Sequence, residues 1–329
     1  INMNNYKKIG LTALAASLVS VSAHAGAVSV SGSASMNSEG HTSSGAMLNA
    51  GTTFSMANSI MFTGSGELDN GLTASISFEL DQGVANNSGN NFDNHSVSIS
   101  SDSLGTLTLA GHGGSTAASA IDTTAAGDMW DNFDEMTIGA TTTLDAVQMS
   151  GAGNNSLFYT SPDLMDGLNV TLSYNPQAGN GGNPSESGYG VNYTGFDGLT
   201  VSYAETDIET NVTSTSGDNE VLKVSYAYGP VTATYSNMEQ SVTSTADAGE
   251  SDSFAISYTI SDELSVTYGS ETHEQGNSTT DTEIDGFSVA YTSGGMTISA
   301  AMQNAENLNH STNTEMDMDY WALGASFAF

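Results

Sequence analysis

Along most of the chain, apolar and polar residues alternate in runs of about ten. Leu72, Ala74, Ile76, Phe78 and Leu80 share one parity, and Thr73, Ser75, Ser77, Glu79 and Asp81 the other. Phe254, Ile256, Tyr258 and Ile260 repeat the pattern, as do Leu264, Val266 and Tyr268. A period of two predicts β-strands with one apolar and one polar face. Tight turns are predicted at Asp69-Asn70-Gly71, 102–105, 162–167, Asp197-Gly198, Gly229-Pro230, Ser261-Asp262-Glu263 and Gly294-Gly295. Longer loops rich in Gly, Asn, Ser and Thr are predicted near residues 39–57, 83–93, 113–153, 176–186, 208–218, 240–251, 273–282 and 305–316. Seven short and eight long connections in strict alternation join sixteen strands and place all short turns on one rim.

The polar parity is so uniformly Ser, Thr, Asp and Glu that it suits a water-filled interior better than the packed core of a sandwich. The expectation is an all-β, 16-stranded antiparallel transmembrane β-barrel, closed so that no strand edge is left unpaired in lipid. Tyr159, Tyr174, Tyr193, Tyr203, Tyr226, Tyr228, Tyr235, Tyr268 and Tyr291 fall near the predicted strand ends, as interfacial aromatic girdles require. Disorder, the other reading of a polar acidic chain, is disfavoured by the alternation itself.

At the N-terminus, Lys7-Lys8 precede an apolar stretch from residue 9 to 21 and then Ala23-His24-Ala25. This is the pattern of a secretory signal over residues 1–25, cleaved after Ala25, which leaves 26–329 as one barrel domain. The stretch is too short to span a bilayer as a helix, and no later segment has roughly 20 continuous apolar residues.

Charge narrows the function. The chain has 37 acidic side chains against three lysines, Lys7, Lys8 and Lys223, and a net charge of −34. Nucleic-acid binding, which needs clustered Lys and Arg, is excluded. With no cysteine there is no disulfide, thiolate nucleophile or Cys-based zinc site. Lys223 is the one basic side chain beyond residue 25, and alternation places it on the luminal face between Leu222 and Val224. Glu67, Glu79 and Asp81 share the luminal parity of their strands.

The chain ends Tyr320-Trp321-Ala322-Leu323-Gly324-Ala325-Ser326-Phe327-Ala328-Phe329, with the aromatics Trp321, Phe327 and Phe329 on one parity. This resembles the closing strand of outer-membrane barrels, whose terminal Phe, here Phe329, is read by the barrel assembly machinery. In order along the chain, residues 28–36, 60–81 and 104–112, and Asn154-Asn155-Ser156-Leu157-Phe158-Tyr159-Thr160-Ser161-Pro162, resemble Gram-negative general porins of the alphaproteobacterial kind. The resemblance implies passive diffusion of small hydrophilic solutes across the bacterial outer membrane, a homotrimer, no catalysis and no obligatory cofactor. A substrate-preferring channel and, at greater distance, a non-channel surface β-protein or adhesin are the alternatives.

The resemblance also implies that the third long loop, residues 113–153, folds into the barrel and narrows it. Asp122, Asp128, Asp131, Asp134 and Glu135 lie in this loop, with Trp130 and Phe133 as candidate wall anchors. Glu67, Glu79, Asp81, His112 and Lys223 are candidate lining residues. The family commonly sets arginines opposite the loop acids; this chain has none, which departs from the pattern and predicts cation preference. Oxygen-rich acids could also hold calcium, and Asp128, Asp131 and Asp134 are the candidates, although their spacing matches no known calcium loop. For an enzyme, His112 with Asp122 is the one defensible pair.

Overall fold

The structure is a computed structural model and describes residues 28–43, 51–81, 92–134, 137–138, 141–142, 153–176, 185–209, 216–242 and 248–329. The first strands are β1 (Ser29–Ser43), β2 (Gly51–Glu67), β3 (Thr73–Asp81), β4 (His95–Ser101) and β5 (Gly105–His112). Two short strands, β6 (Thr137–Ile138) and β7 (Thr141–Thr142), pair only with each other inside the long third loop. The wall continues with β8 (Ser156–Thr160), β9 (Leu168–Asn175), β10 (Ser185–Phe196), β11 (Leu199–Glu209), β12 (Gly217–Tyr228) and β13 (Val231–Val242). It ends with β14 (Gly249–Thr259), β15 (Leu264–Gln275), β16 (Thr282–Ser293), β17 (Met296–Glu306) and β18 (Met318–Ala328).

Among the described residues, sixteen of these strands form one closed antiparallel barrel, in which each strand pairs with its neighbours in sequence and β18 returns to β1. The closing seam runs from Ser33↔Ala328 to Ser43↔Met318. Phe329 continues it past the strand end: its N–H donates to Gly32 O at 3.0 Å, and its carbonyl accepts from Gly32 N at 2.8 Å. The terminal residue is thus part of the ladder.

All seven predicted tight turns lie between paired strands. At Asp197-Gly198 only two residues join β10 to β11, and Gly198 takes φ +74°, a conformation that disfavours a side chain. The first long connection is shorter than the predicted 39–57, because β1 runs on through Ser43 and β2 begins at Gly51. The cause is composition: Ser, Thr and Gly read as loop, yet here they alternate within a ladder whose partners supply the hydrogen bonds. Residues 1–25 lie outside the described residues.

The parity of the side chains agrees with the alternation. Ile76, Phe254, Ile256, Tyr258, Leu323 and Phe327 point outward and are exposed, whereas Ser236, Ser251, Ser253 and Thr206 point inward and are buried. The buried inner surface is not an apolar core of the usual kind. Its two apolar clusters, one of Ala117, Ala118, Ala204, Val221 and Met238 and one around Met129, Phe133, Leu308, Met318 and Tyr320, each bury loop side chains against the inside of the wall.

The outer surface divides into two halves. On the outward parity of β1–β5 and β8–β10 there is no carboxylate, whereas each strand from β11 to β18 carries at least one near its long-loop end. Five glutamates on consecutive strands stand directly opposite one another, in the order Glu205, Glu220, Glu239, Glu250 and Glu274. Hydroxyl and amide donors reach these acids from the same face: Tyr189 OH donates to Glu205 at 2.5 Å, and Asn237 Nδ2 to Glu250 at 2.6 Å. Tyr203 and Tyr235, expected at strand ends, instead stand within their strands beside these acids, with Tyr235 OH donating to Asp252 at 2.5 Å.

Candidate functional site

The described first part of the long third connection, residues 113–134, leaves β5 and enters the barrel. It then follows the inner wall and is fastened to one strand after another. Ala117 N donates to Ser173 Oγ of β9 at 2.8 Å, and Ala118 N to Thr206 Oγ1 of β11 at 3.1 Å. On β12, Lys223 Nζ donates to Thr123 O at 2.6 Å. Ala125 N meets Ser236 Oγ of β13 at 2.8 Å, and Ala126 N meets Ser253 Oγ of β14 at 2.9 Å. Glu271 of β15 accepts from Met129 N at 2.9 Å and Trp130 N at 3.0 Å. Asn132 reaches Gln303 of β17 at 3.0 Å, and its carbonyl lies 2.6 Å from His41 Nε2 of β1.

This arrangement follows from hydrogen-bond satisfaction. A loop pressed against a wall loses water from its backbone amides, and each amide then needs an acceptor. The alternation of β9, β11, β13 and β14 points a serine or threonine inward at the required height, so the wall supplies those acceptors. Small loop residues, Ala117, Ala118, Ala125 and Ala126, let the backbone approach closely enough to use them.

At the deepest part of the loop, Gly127 and Asp128 both adopt left-handed φ, +88° and +55°. They lead into a 3-10 turn over Met129–Asn132. Asp128 Oδ1 accepts from Thr124 N at 2.8 Å, Thr124 Oγ1 accepts from Asp128 N at 2.7 Å, and the same hydroxyl donates to Glu271 Oε1 at 2.5 Å. Phe133 packs edge-on to Tyr320 and His41. Of the two anchor candidates Phe133 is buried, and Trp130 is partly so.

The predicted acids separate into different environments. Asp131 is exposed, and Asp134 follows the turn, half-buried. Asp122 and Asp128 are half-buried beside Lys223. Burial, and then the neighbouring Asp128, push the Asp122 carboxyl up to about 6, with Lys223 pulling the other way. Burial also raises Asp128, opposed by its hydrogen bonds to Thr124. Glu135 lies outside the described residues. Among the described residues no three acidic or histidine side chains converge as a metal-holding group, Asp128, Asp131 and Asp134 included, so the calcium expectation draws no support from the geometry.

A second polar group stands on the β2–β5 side of the wall. Glu79 projects into the lumen there, accepting from Ser59 Oγ at 2.6 Å and Asn94 Nδ2 at 2.7 Å. It lines a recess of about 260 Å³ with His95, His112, Ser156 and Phe158. His112 binds the carbonyl of Asp93, which gives its ring a structural partner. Asp81, at the end of β3, stands opposite Ser59, and Glu67, at the short-turn end of β2, opposite Thr73; both are exposed.

Glu271 was not among the predicted site residues. Continuing the parity of Leu264, Val266 and Tyr268 would have turned it inward, but nothing in the chain marks it as the acceptor for loop amides far away in sequence. Behind it, His273 Nε2 lies 3.3 Å from Glu271 Oε2, and His273 Nδ1 lies 2.6 Å from Ser251 Oγ. This row has the residue types of a nucleophile, base and acid. Ser251, however, is 1% exposed beneath the loop, closed to any substrate in this arrangement.

The Gram-negative porin profile matches residues 10–329. Among curated proteins none matches. Similar solved structures include an anion-selective porin from Comamonas acidovorans, with 16% identity, a TM-score of 0.67, and coverage of 92% of this chain and 99% of that one. An engineered variant of the Rh. blastica porin has 18% identity and a TM-score of 0.65, covering 92% of this chain and 100% of the other. Salmonella typhi OmpF in complex with daunomycin has 14% identity and a TM-score of 0.65, covering 92% and 98%. At these identities the structures speak for the fold alone. The profile match over nearly the whole length does more, and fold and profile together point to an outer-membrane diffusion channel rather than an enzyme. With its strands, its closing seam and its inward strap all accounted for in one frame, the chain belongs to the Gram-negative porin family.

Proposed function

We propose that this chain, after removal of residues 1–25, forms a cation-preferring passive channel for small hydrophilic solutes, working as a homotrimer. One observation carries the selectivity. Lys223, the single cation of the exported chain, turns into the loop, where it binds Thr123 O and lies beside Asp122 and Asp128. What remains for the solute path is acidic, with Asp131 exposed on the loop and Glu79 on the inward parity of β3, and without a fixed basic residue to attract anions. Carboxylates within about 8 Å of a passing ion are not screened away at physiological ionic strength. Selectivity does not follow from the fold, since a structure as similar as that of Comamonas acidovorans belongs to an anion-selective porin.

The halved outer surface supports self-association. The carboxylate-free half exposes large apolar side chains near its long-loop end, among them Phe54 at 84%, with Met36 and Met56. A second copy covering that patch would leave the acidic half facing lipid headgroups and solvent, whereas packing through the acidic half would bring glutamate ladders together. Export is expected to end in insertion by the barrel assembly machinery, with Phe329 in the recognised strand.

Purified protein in a planar bilayer under a KCl gradient tests the reading. Conductance steps with a reversal potential of the sign for potassium are expected. A chloride-signed potential would overturn the selectivity, and an absence of steps would overturn the channel.

A further inference from the structure

Four wall contacts of the strap are single and neutral: one serine or threonine hydroxyl accepts one loop amide. Glu271 differs in kind. Its carboxylate gathers three loop donors, Thr124 Oγ1, Met129 N and Trp130 N, while the side chain is shut away from solvent. The two amides open a short 3-10 turn, and the first amides of such a turn have no partner within it. The left-handed pair Gly127 and Asp128 aims them at the wall. Thr124 then closes the cage, since its one hydroxyl both donates to Glu271 and accepts from Asp128.

We propose that Glu271 is the positioning residue of the constriction: its carboxylate latches the 124–130 turn to β15 and so sets how far Asp131 stands from the opposite wall. The latch gives two states instead of a graded one, because losing the carboxylate orphans two amides and a hydroxyl together. The rungs before it, Ser173 to Ser253, and the cluster of Ala117 and Ala118 on Val221 hold the first part of the strap without it. Asn132 on Gln303 and His41, and Phe133 against Tyr320, hold the far side. The segment that swings is therefore the one between them, which carries Asp131. Ser251 and His273 support Glu271 from behind. This inference rests on the reading that solutes pass through the lumen, and its test includes a measurement that does not depend on conductance.

The chain has no cysteine, so Asp131→Cys provides a unique site for a spin label. The label is read in Asp131→Cys alone and combined with Glu271→Ala, Glu271→Gln or Thr124→Val, in folded, heat-modifiable protein. Glu271→Ala is expected to raise the mobile fraction of the label about tenfold or more, as losing hydrogen bonds to a charged acceptor implies. Glu271→Gln, which keeps one acceptor oxygen in place, should fall between. Thr124→Val removes the hydroxyl from the loop without touching the barrel and should mobilise the same label. Single-channel conductance should rise in the same order. A label as immobile in Thr124→Val and Glu271→Ala as in the parent overturns the latch; if Glu271→Ala does not fold, Thr124→Val alone decides. A purely structural role for Glu271 would lower barrel stability and leave the label unmoved, which also overturns it. A parent protein that gives no conductance steps would defeat the channel reading and leave the latch to the label.

Discussion

Lys223 Nζ donates to the carbonyl oxygen of Thr123 at 2.6 Å, so the only basic side chain beyond residue 25 fastens the third long loop to the wall. A lysine on the luminal parity of a barrel strand would ordinarily stand in water as a site for anions. Here the loop folds over it and brings Asp122 and Asp128 alongside.

Replacing this lysine by methionine keeps the apolar stem and removes the charge. Two loop acids are then left without their counter-charge. The potassium-over-chloride permeability ratio should rise about two- to threefold, the weight of one unit charge several ångströms from a passing ion in water. Reversal potentials of Lys223→Met against the parent measure it, and a lower ratio would mean that the lysine does not oppose cations at all.

Asp122 makes the lumen sensitive to mild acid. Its carboxyl, lifted to about 6 by burial and by Asp128, gains a proton between pH 7 and 5. Cation preference should fall by about twofold over that interval, and Asp122→Asn should show the low-pH preference already at pH 7. Docking of the loop has the opposite slope. The docked carboxyl titrates above its free range, so between about pH 6 and that range the docked loop binds more protons than a released one. Docking tightens as pH falls through this window and loosens as it rises. Protease protection of the loop measured from pH 7 to 4.5 checks the sign.

The glutamate ladder on β11 to β15 sets like charges directly opposite one another on neighbouring strands, each pair costing from a few tenths up to about 1 kcal/mol. The barrel should therefore unfold at a lower temperature in low salt than in high salt. Glu220, like Glu239 and Glu250, has a glutamate on either side and is an informative substitution. Glu220→Gln should raise the unfolding temperature at low salt and reduce its salt dependence; an unchanged dependence would place the counter-charge elsewhere.

Phe54 tests the carboxylate-free half as the face between copies. A carboxylate there meets its symmetry-related neighbours at a three-fold contact or stands harmlessly in solvent. Phe54→Asp should shift heat-labile trimer toward monomer in mild detergent while the monomer retains its β-sheet circular dichroism. Unaltered trimer would move the contact to another face.

What the chain alone determined is what a period of two can determine. Thr73 to Asp81 shows why: once lipid lies on one side and water on the other, every second residue is constrained by its solvent, and the constraint is local enough to read. Turn chemistry did the same for Asp197-Gly198 and its six counterparts. The reading failed where local and non-local terms compete. The first long loop lost most of its predicted length because the Ser and Gly among residues 39–43 and 51–57 also suit turns, yet neighbouring strands recruit these segments into the ladder. Asp122 and Asp131 are chemically identical in the chain, and folding makes one half-buried and lifted and leaves the other exposed. Glu271 is the clearest case. Its inward direction was available from parity, but its partners Met129 and Trp130 lie more than a hundred residues away, in a loop with no periodicity of its own. Which acid meets which amide depends on where the wall's hydroxyls stand when the barrel closes, and only the closed barrel holds that information.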